Sequence, residues 1–404
     1  MRHLMPLLAA AASVLSTPPA YADLGDQLAK LLAADGAAGD FLGTTVAISG
    51  ATAIVGAGGD DDNGFNSGSA YLFETTTGWQ IAKLLPDDGA AEDWFGVSVA
   101  ISGSTAIVGA FFDDDNGSNS GSAYLFDTTT GKQLFKLLPL DGAAIDYFGF
   151  SVAISGATAI VGAWGNDDNG SKSGSAYLFE TTTGWQIAKL LPDDGATGDG
   201  FGYSVAISGP PGNKVAIVGA PGDNDNGSES GSAYLFDTTT GWQIAKLLPD
   251  DGAVEDYFGW SVAISGATAI VGAYRDDDHG NASGSAYLFD TSMGEQITKL
   301  LPDDGAADDY FGGSIAISGA TAIVGAYRND DNGGNSGSAY LFDAAAAGKC
   351  PWDLNGNGSV GILDLLALLA AWGTDPGGPP DFDGDGTVGI LDLLTLLANW
   401  GPCA

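Results

Sequence analysis

Between residues 44 and 343 the chain alternates short apolar runs with clusters of Gly, Asp, Asn, Ser and Thr. Residues 97–138 show the pattern most clearly. Residues 97–102 alternate apolar and small side chains, and 105–110 form a β-branched run ending in Gly-Ala. Residues 122–126 alternate again, and 133–138 follow the turn Thr128-Thr129-Thr130-Gly131. Period-two runs of this length, bounded by turn residues, predict four β-strands. The pattern then repeats. The glycine of a Phe-Gly step, or its counterpart, falls at Gly43, Gly96, Gly149, Gly202, Gly259 and Gly312, with spacings of 53, 53, 53, 57 and 53 residues. The one excess of four is the stretch 210–214, an insertion in a turn. Four short strands in a repeat of this size predict the blades of a propeller.

The ends of the array sharpen that expectation. Residues 27–32 match 80–85, the fourth strand of a unit, yet they precede the first unit. The sixth unit has three strands, through Phe342, and then stops. A fourth strand supplied from the N-terminus would close a ring and remove both open edges. The expected architecture is therefore an all-β six-bladed propeller of four-stranded blades, closed by an N-terminal strand. Each outer strand carries one lysine at the same place (Lys30, Lys83, Lys136, Lys189, Lys246, Lys299), read as a guard against edge-to-edge pairing. Trp79, Trp185 and Trp242 recur at strand starts, where packing is a commoner role than a platform for sugar rings.

The pattern changes in the last 55 residues. Residues 363–372 and 391–400 have helical periodicity, with Leu365, Leu368, Leu369 and Trp372 as one stripe and Leu393, Leu396, Leu397 and Trp400 as its twin. The two stripes are expected to bury against each other. Leu363, Leu366, Leu391 and Leu394 add apolar surface that so small a module cannot easily hide, which suggests a partner surface. Before each helix lies a loop with EF-hand spacing. Asp353, Asn355, Asn357, Ser359 and Asp364 occupy the first, third, fifth, seventh and twelfth places of one loop, with glycine sixth. Asp381, Asp383, Asp385, Thr387 and Asp392 do so in the other. The expected ion is calcium, held more tightly by the second loop because it has four carboxylates to the first loop's two. A small all-α calcium-loop domain should therefore follow the propeller.

Composition narrows the chemistry. The 404 residues include 51 acidic and 13 basic ones, for a net charge of −38, and only 2 histidines. That charge works against nucleic-acid and anionic-membrane partners and favours cations. Residues 1–22 read as a secretory signal, with a positive start, an apolar stretch from Leu4 to Leu15 and Ala20-Tyr21-Ala22 before Asp23. No later run is long enough for a membrane span. The expected chain is secreted, extracellular or at a cell surface. Its parts are a propeller over 23–343, a linker over 344–349 and the calcium-loop module over 350–404. Cys350 and Cys403 bracket that module, and an exported chain favours a disulfide between them.

The acid is expected on one rim. In up-and-down blades the second-to-third loop and the loop to the next blade share a side. Asp60 and Asp62, Asp113 and Asp115, Asp223 and Asp225, and Asp276 and Asp278 are candidate ligands for one calcium per blade. The alternative is a solvated rim whose Asx-Gly turns simply suit the backbone.

The repeats resemble a known family. Phe95-Gly96, Ile107-Val108-Gly109-Ala110 and Gly121-Ser122-Ala123-Tyr124-Leu125-Phe126 look like the FG-GAP repeat, which builds the β-propeller of integrin alpha chains and of many bacterial secreted proteins. The integrin calcium loop between Phe-Gly and Gly-Ala is absent, since that stretch is only Ala100 to Thr105, and its sites do not carry over. The short turn looks more like the bacterial variant. The tail, with paired loop–helix units and no entering helix, resembles a type I dockerin. That resemblance implies calcium-dependent docking to a cohesin-like protein. Ile362 with Leu363, and Ile390 with Leu391, fall where dockerins contact the partner, although many dockerins have hydroxyl residues there.

These observations favour a non-catalytic binding or adhesion propeller, for an unknown protein or glycan, attached through its tail to a surface or complex, within a polysaccharide-degradation system. A glycoside hydrolase is the first alternative, since two carboxylates suffice for that reaction. Yet a catalytic site is asymmetric and these units are nearly interchangeable. A self-associating coat bridged by calcium is the second.

Overall fold

The computed structural model describes residues 29–344, 352, 354, 359–374, 380–382 and 386–402. Five four-stranded antiparallel sheets and one three-stranded sheet follow one another, each with strands in simple sequence order. In the second sheet the strands are Ser98–Ser102, Thr105–Ala110, Ser122–Asp127 and Gln133–Leu137. Each agrees with the sequence expectation to within a residue. The first strands of successive sheets pack side by side and the fourth lies outermost, as in the blades of a propeller.

Alternation gives each sheet two sides, and in the second to fifth sheets both are apolar and meet a neighbour. Ile107, Leu125 and Leu137 of the second sheet pack against Val161, Tyr177 and Phe179 of the third, all essentially buried. The same set recurs at the following joints. A fully buried aromatic of this kind contributes about 1.5–3 kcal/mol, so each joint is a substantial core in itself.

The Phe-Gly step locks one sheet to the next. Phe148 forms a parallel bridge with Gly121 of the preceding sheet and stands edge-on to Tyr177 and Phe179 of its own, at 5.5 and 5.8 Å. Gly149 has φ of 90° and its carbonyl lies 2.0 Å from where a Cβ on Gly109 would sit. Only glycine permits that backbone approach. The insertion at 210–214 also turns inward: Lys214 Nζ donates to the Ser155 carbonyl and to Thr158 Oγ1 of the third sheet.

At the ends, the sixth sheet has three strands, Phe311–Ser318, Thr321–Ala326 and Ser338–Asp343, and among the described residues no fourth strand pairs with it. Its outward side exposes Leu341 (72%), and the first sheet exposes Val46 (68%). Residues 29–33 run along the first sheet, with Leu31 and Ala33 against Val55, Tyr71 and Phe73. Gln27 and Leu28, the start of the expected closing strand, lie outside the described residues.

In the tail, α1 (Ile362–Ala370) and α2 (Ile390–Ala398) join through Val360, Leu368, Val388 and Leu396. A two-residue sheet pairs Ser359–Val360 with Gly401–Pro402. The expected stripes are only half buried: Leu365 and Leu393 turn inward, whereas Leu369, Trp372, Leu397 and Trp400 are exposed. Two helices of nine residues are too short to cover each other's flanks. Among the described residues no helix is long and apolar enough to cross a membrane.

Candidate functional site

The acidic loops do converge on one side, and at their centre is a lysine. In the second sheet Lys136 Nζ lies 2.7 Å from Asp88, 3.0 Å from Asp113 and 2.6 Å from Asp115. Asp88 comes from the connection entering the sheet, the other two from the second-to-third loop, and Lys136 from the outer strand. Tyr124 completes the group by donating to Asp113 (2.8 Å) and Asp88 (3.1 Å). The ammonium also sits 5.1 Å from the Tyr124 ring centroid. Lys83 with Asp35, Asp60 and Asp62, Lys246 with Asp194, Asp223 and Asp225, and Lys299 with Asp251, Asp276 and Asp278 repeat the arrangement. In the third sheet Asn166 replaces one carboxylate, and Lys189 holds Asp141 and Asp168.

The lysines are therefore not edge guards, as the sequence alone suggested; they are the counter-cations of the rim. Their side chains curl inward because three carboxylates, one of them buried, outweigh the solvation of an exposed ammonium. Hydrogen bonds from the lysine and tyrosine hold Asp88 and Asp251 below the ordinary carboxylate range, against the opposing pull of burial. Against the opposing effect of burial, the three surrounding carboxylates hold Lys136 and Lys299 above the ordinary range of a lysine. The carboxylate oxygens of Asp194, Asp223 and Asp225, and of Asp251, Asp276 and Asp278, lie within 4.8 Å of one another, a spacing that can hold a metal ion. A metal there would share its ligands with the ammonium.

A second set of acids lies beneath the rim. Asp93 and Asp256 are buried and their carboxyls are pushed up to about 6, chiefly by burial. Each accepts the N–H three residues earlier, at 2.7 and 2.6 Å. Asp146, Asp199 and Asp309 repeat that bond. A raised carboxyl can mark a general acid; an aspartate whose bond to the backbone three residues earlier recurs from unit to unit is a turn lock.

The sixth cluster differs. Asn329 Nδ2 donates to Tyr340 Oη at 3.4 Å, the Asp331 N–H donates to Asn329 Oδ1, and burial, helped by the charge of Asp304, raises the Tyr340 hydroxyl, yet among the described residues no lysine joins them. The lysine at the corresponding place in the repeat, Lys30, is exposed and makes no ion pair among the described residues. Residues 34 and 35 nevertheless dock on the first sheet as the other connections do on theirs: Ala34 N–H donates to Gln80, and Asp35 binds Lys83.

Inside the acidic rim runs an arc of aromatic rings that the sequence reading missed. From Trp94 it passes through Phe111, Phe150, Tyr203, Trp260, Tyr274 and Tyr310 to Tyr327, each step a ring contact of 4.5–6.5 Å. Arg275 stacks 5.1 Å from Tyr257 and Arg328 4.6 Å from Tyr310, and neither makes an ion pair among the described residues. Trp94, Tyr147, Tyr257 and Tyr310 all have φ near +55°, a conformation costing about 1–2 kcal/mol for a non-glycine residue, where the fourth unit has Gly200. The signal was present in the sequence. The residue after Phe-Gly reads Val97, Phe150, Tyr203, Trp260 and Gly313 in otherwise uniform units. Such variation resembles noise until topology gathers it at one place.

A family model described as the FG-GAP repeat matches six times, over residues 26–73, 79–126, 132–179, 185–236, 242–289 and 295–342. The chain belongs to the FG-GAP repeat family. No curated protein matches it. The FG-GAP motif has a visible meaning here: Phe-Gly of one unit closes on Gly-Ala of the preceding one. The matches end before the tail, whose candidate ligands Asp353, Asn355, Asn357, Asp383 and Asp385 and whose cysteines, Cys350 and Cys403, lie outside the described residues. Of the remaining ligands, Asp364 and Asp392 are buried and accept the N–H groups of Gly361 (2.7 Å) and Gly389 (2.6 Å). Asp381 accepts the Gly386 N–H at 2.9 Å, closing the second loop on its first residue. Ser359 lies in the two-residue sheet and Thr387 in the turn leading to α2. The expected docking pairs, Ile362 with Leu363 and Ile390 with Leu391, are all exposed.

Proposed function

We propose that this chain is a secreted, non-catalytic adhesion propeller that binds a protein partner on its acidic side and is tethered by its tail. The observation that carries this reading is the aromatic–arginine arc inside an acidic rim. Trp, Tyr and Arg at a centre with a charged periphery is the anatomy of a protein-binding surface, and the rim would steer a basic partner. The internal lysines make the acidic loops of the first five sheets a rigid scaffold. The ring closes when residues 27–32 become the fourth strand of the sixth sheet, and Lys30 then completes the cluster of Asp304 and Asp331.

The tail is the attachment module. Asp353, Asn355, Asn357, Ser359 and Asp364 would hold one calcium, and Asp381, Asp383, Asp385, Thr387 and Asp392 a second. The turn that closes back on Asp381 supports this, as does the pair of buried twelfth-position carboxylates. The ions would fix the loop ends from which the two exposed leucine-rich helix surfaces project toward a cohesin-like partner.

The test is capture from surface proteins of the source organism. Wild-type protein should retain a discrete partner that R275E/R328E loses while melting normally. Retention of the same proteins by that variant removes the arc from the reading. Partner binding by the tail should vanish with a calcium chelator and with D364A/D392A.

A further inference from the structure

Three tryptophans that the sequence reading assigned to packing are almost fully exposed: Trp79 (77%), Trp185 (76%) and Trp242 (78%). They stand at the start of the outermost strands of the first, third and fourth sheets, on the perimeter and away from the aromatic arc. Around Trp242 the surface is a shaped groove of about 290 Å³ between two sheets, lined by Leu191 and Asp193 of one and by Gly241, Trp242 and Gln243 of the next. Gln243 Oε1 accepts the Asp193 N–H at 3.0 Å, so its position is fixed and its amide NH2 remains as a donor. Asp193 is exposed and supplies an acceptor beside it. The same glutamine bond recurs beside Trp79, through Gln80 and Ala34, and beside Trp185, through Gln186 and Leu140, where an apolar residue takes the place of Asp193. The groove of the second sheet has the same walls but carries Lys132 in place of tryptophan.

We propose that these inter-sheet grooves are sugar-binding subsites for a neutral polysaccharide. An indole face suits the apolar C–H face of a pyranose ring, and at Trp242 a fixed donor beside a carboxylate acceptor suits a pair of vicinal hydroxyls. A protein partner would need a continuous apolar patch, whereas Lys132 separates Trp79 from Trp185 and no tryptophan marks the fifth sheet, where Glu295 takes the place. Separate sites that share a tryptophan and a fixed glutamine suit a ligand that itself repeats, with Asp193 making the Trp242 site the most complete. Polymer charge is decided by the molecule's own: at a net −38, an anionic chain would be repelled. The inference is independent of the arc, so either can fail without the other.

Affinity electrophoresis of the full chain in gels containing xylan, mixed-linkage glucan or galactomannan, with alginate as the anionic control, tests it. At least one neutral gel should retard the protein and alginate should not. W242A should weaken retardation about tenfold. W79A/W185A/W242A should abolish it, because linked weak sites act together, and K132W should strengthen it. All these side chains are exposed, so unchanged thermal melts are expected and separate binding from folding. Migration unaffected by every neutral polysaccharide, or equal retardation of the triple variant, overturns the proposal. So does tryptophan-dependent binding to zwitterionic phosphatidylcholine vesicles in place of sugar.

Discussion

At the residue scale the lysine clusters govern behaviour. Lys136→Met leaves buried Asp113 facing two further carboxylates without a cation, a loss on the order of 3 kcal/mol. If the ammonium is the resident cation, the variant's melting temperature should rise when calcium is added, while the wild-type sheets respond little. A large calcium shift from the propeller of the wild type would mean that metal displaces the lysine. Titration follows the same groups. The lysines are held above their usual range and Tyr71 is pushed up to about 12, chiefly by burial. Above about pH 10 the unfolded chain therefore loses protons first, and stability falls as pH rises. Asp93 and Asp256 work on the other side. With carboxyls near 6 they bind protons that the unfolded chain has already released, so stability rises as pH falls from 6 toward 4. Below 4 the lowered carboxyls of Asp88 and Asp251 reverse the trend. Urea midpoints against pH should show a maximum between pH 4 and 5.

At the element scale the joints matter more than the strands. A methyl group on Gly109 would meet the Gly149 carbonyl at 2.0 Å, so Gly109→Ala should cost about 3 kcal/mol or more by prising two sheets apart. Gly103→Ala, in a turn with open space around it, should cost far less, limited to the strain of its φ of 58°. Ring closure has an equally direct check. Lys30→Met should destabilise about as much as Lys189→Met, whose cluster also has an asparagine at the buried place, if Lys30 fills the sixth cluster. As a solvated side chain it should change stability by no more than about 0.5 kcal/mol. Denaturant midpoints of the two variants decide between these. Strand positions were legible in the sequence because alternation and turn residues are local properties. The partner of Lys136 was not, since Asp88 and Asp113 lie 48 and 23 residues away and meet it only through the fold. Trp242 misled for the same reason: an indole at a strand start reads as core until the sheet edge on which it lies is known.

At the scale of the whole molecule, the repeat and the single acidic rim could be read from spacing and the family from the resemblance of the recurring residues, whereas the aromatic arc could not be read at all. Its residues sit where the units disagree, and disagreement has no period to detect. The tail predicts its own outcome: calorimetric titration of the full chain with calcium should find two tail sites, the tighter one lost in Asp392→Ala and the weaker in Asp364→Ala. The close Gly-to-Gly joint has a further consequence for the history of the gene. Because it is made from backbone, and its aromatic wedge travels with each unit, any copy can follow any other. Unequal recombination could therefore add or drop a whole 53-residue segment without creating a misfit at the new junction. Only residues specific to one copy, such as Trp260 or Arg275, would be lost or doubled. Binding preference in such a lineage can thus change by shuffling copies, with no stage at which the chain must relearn how to fold.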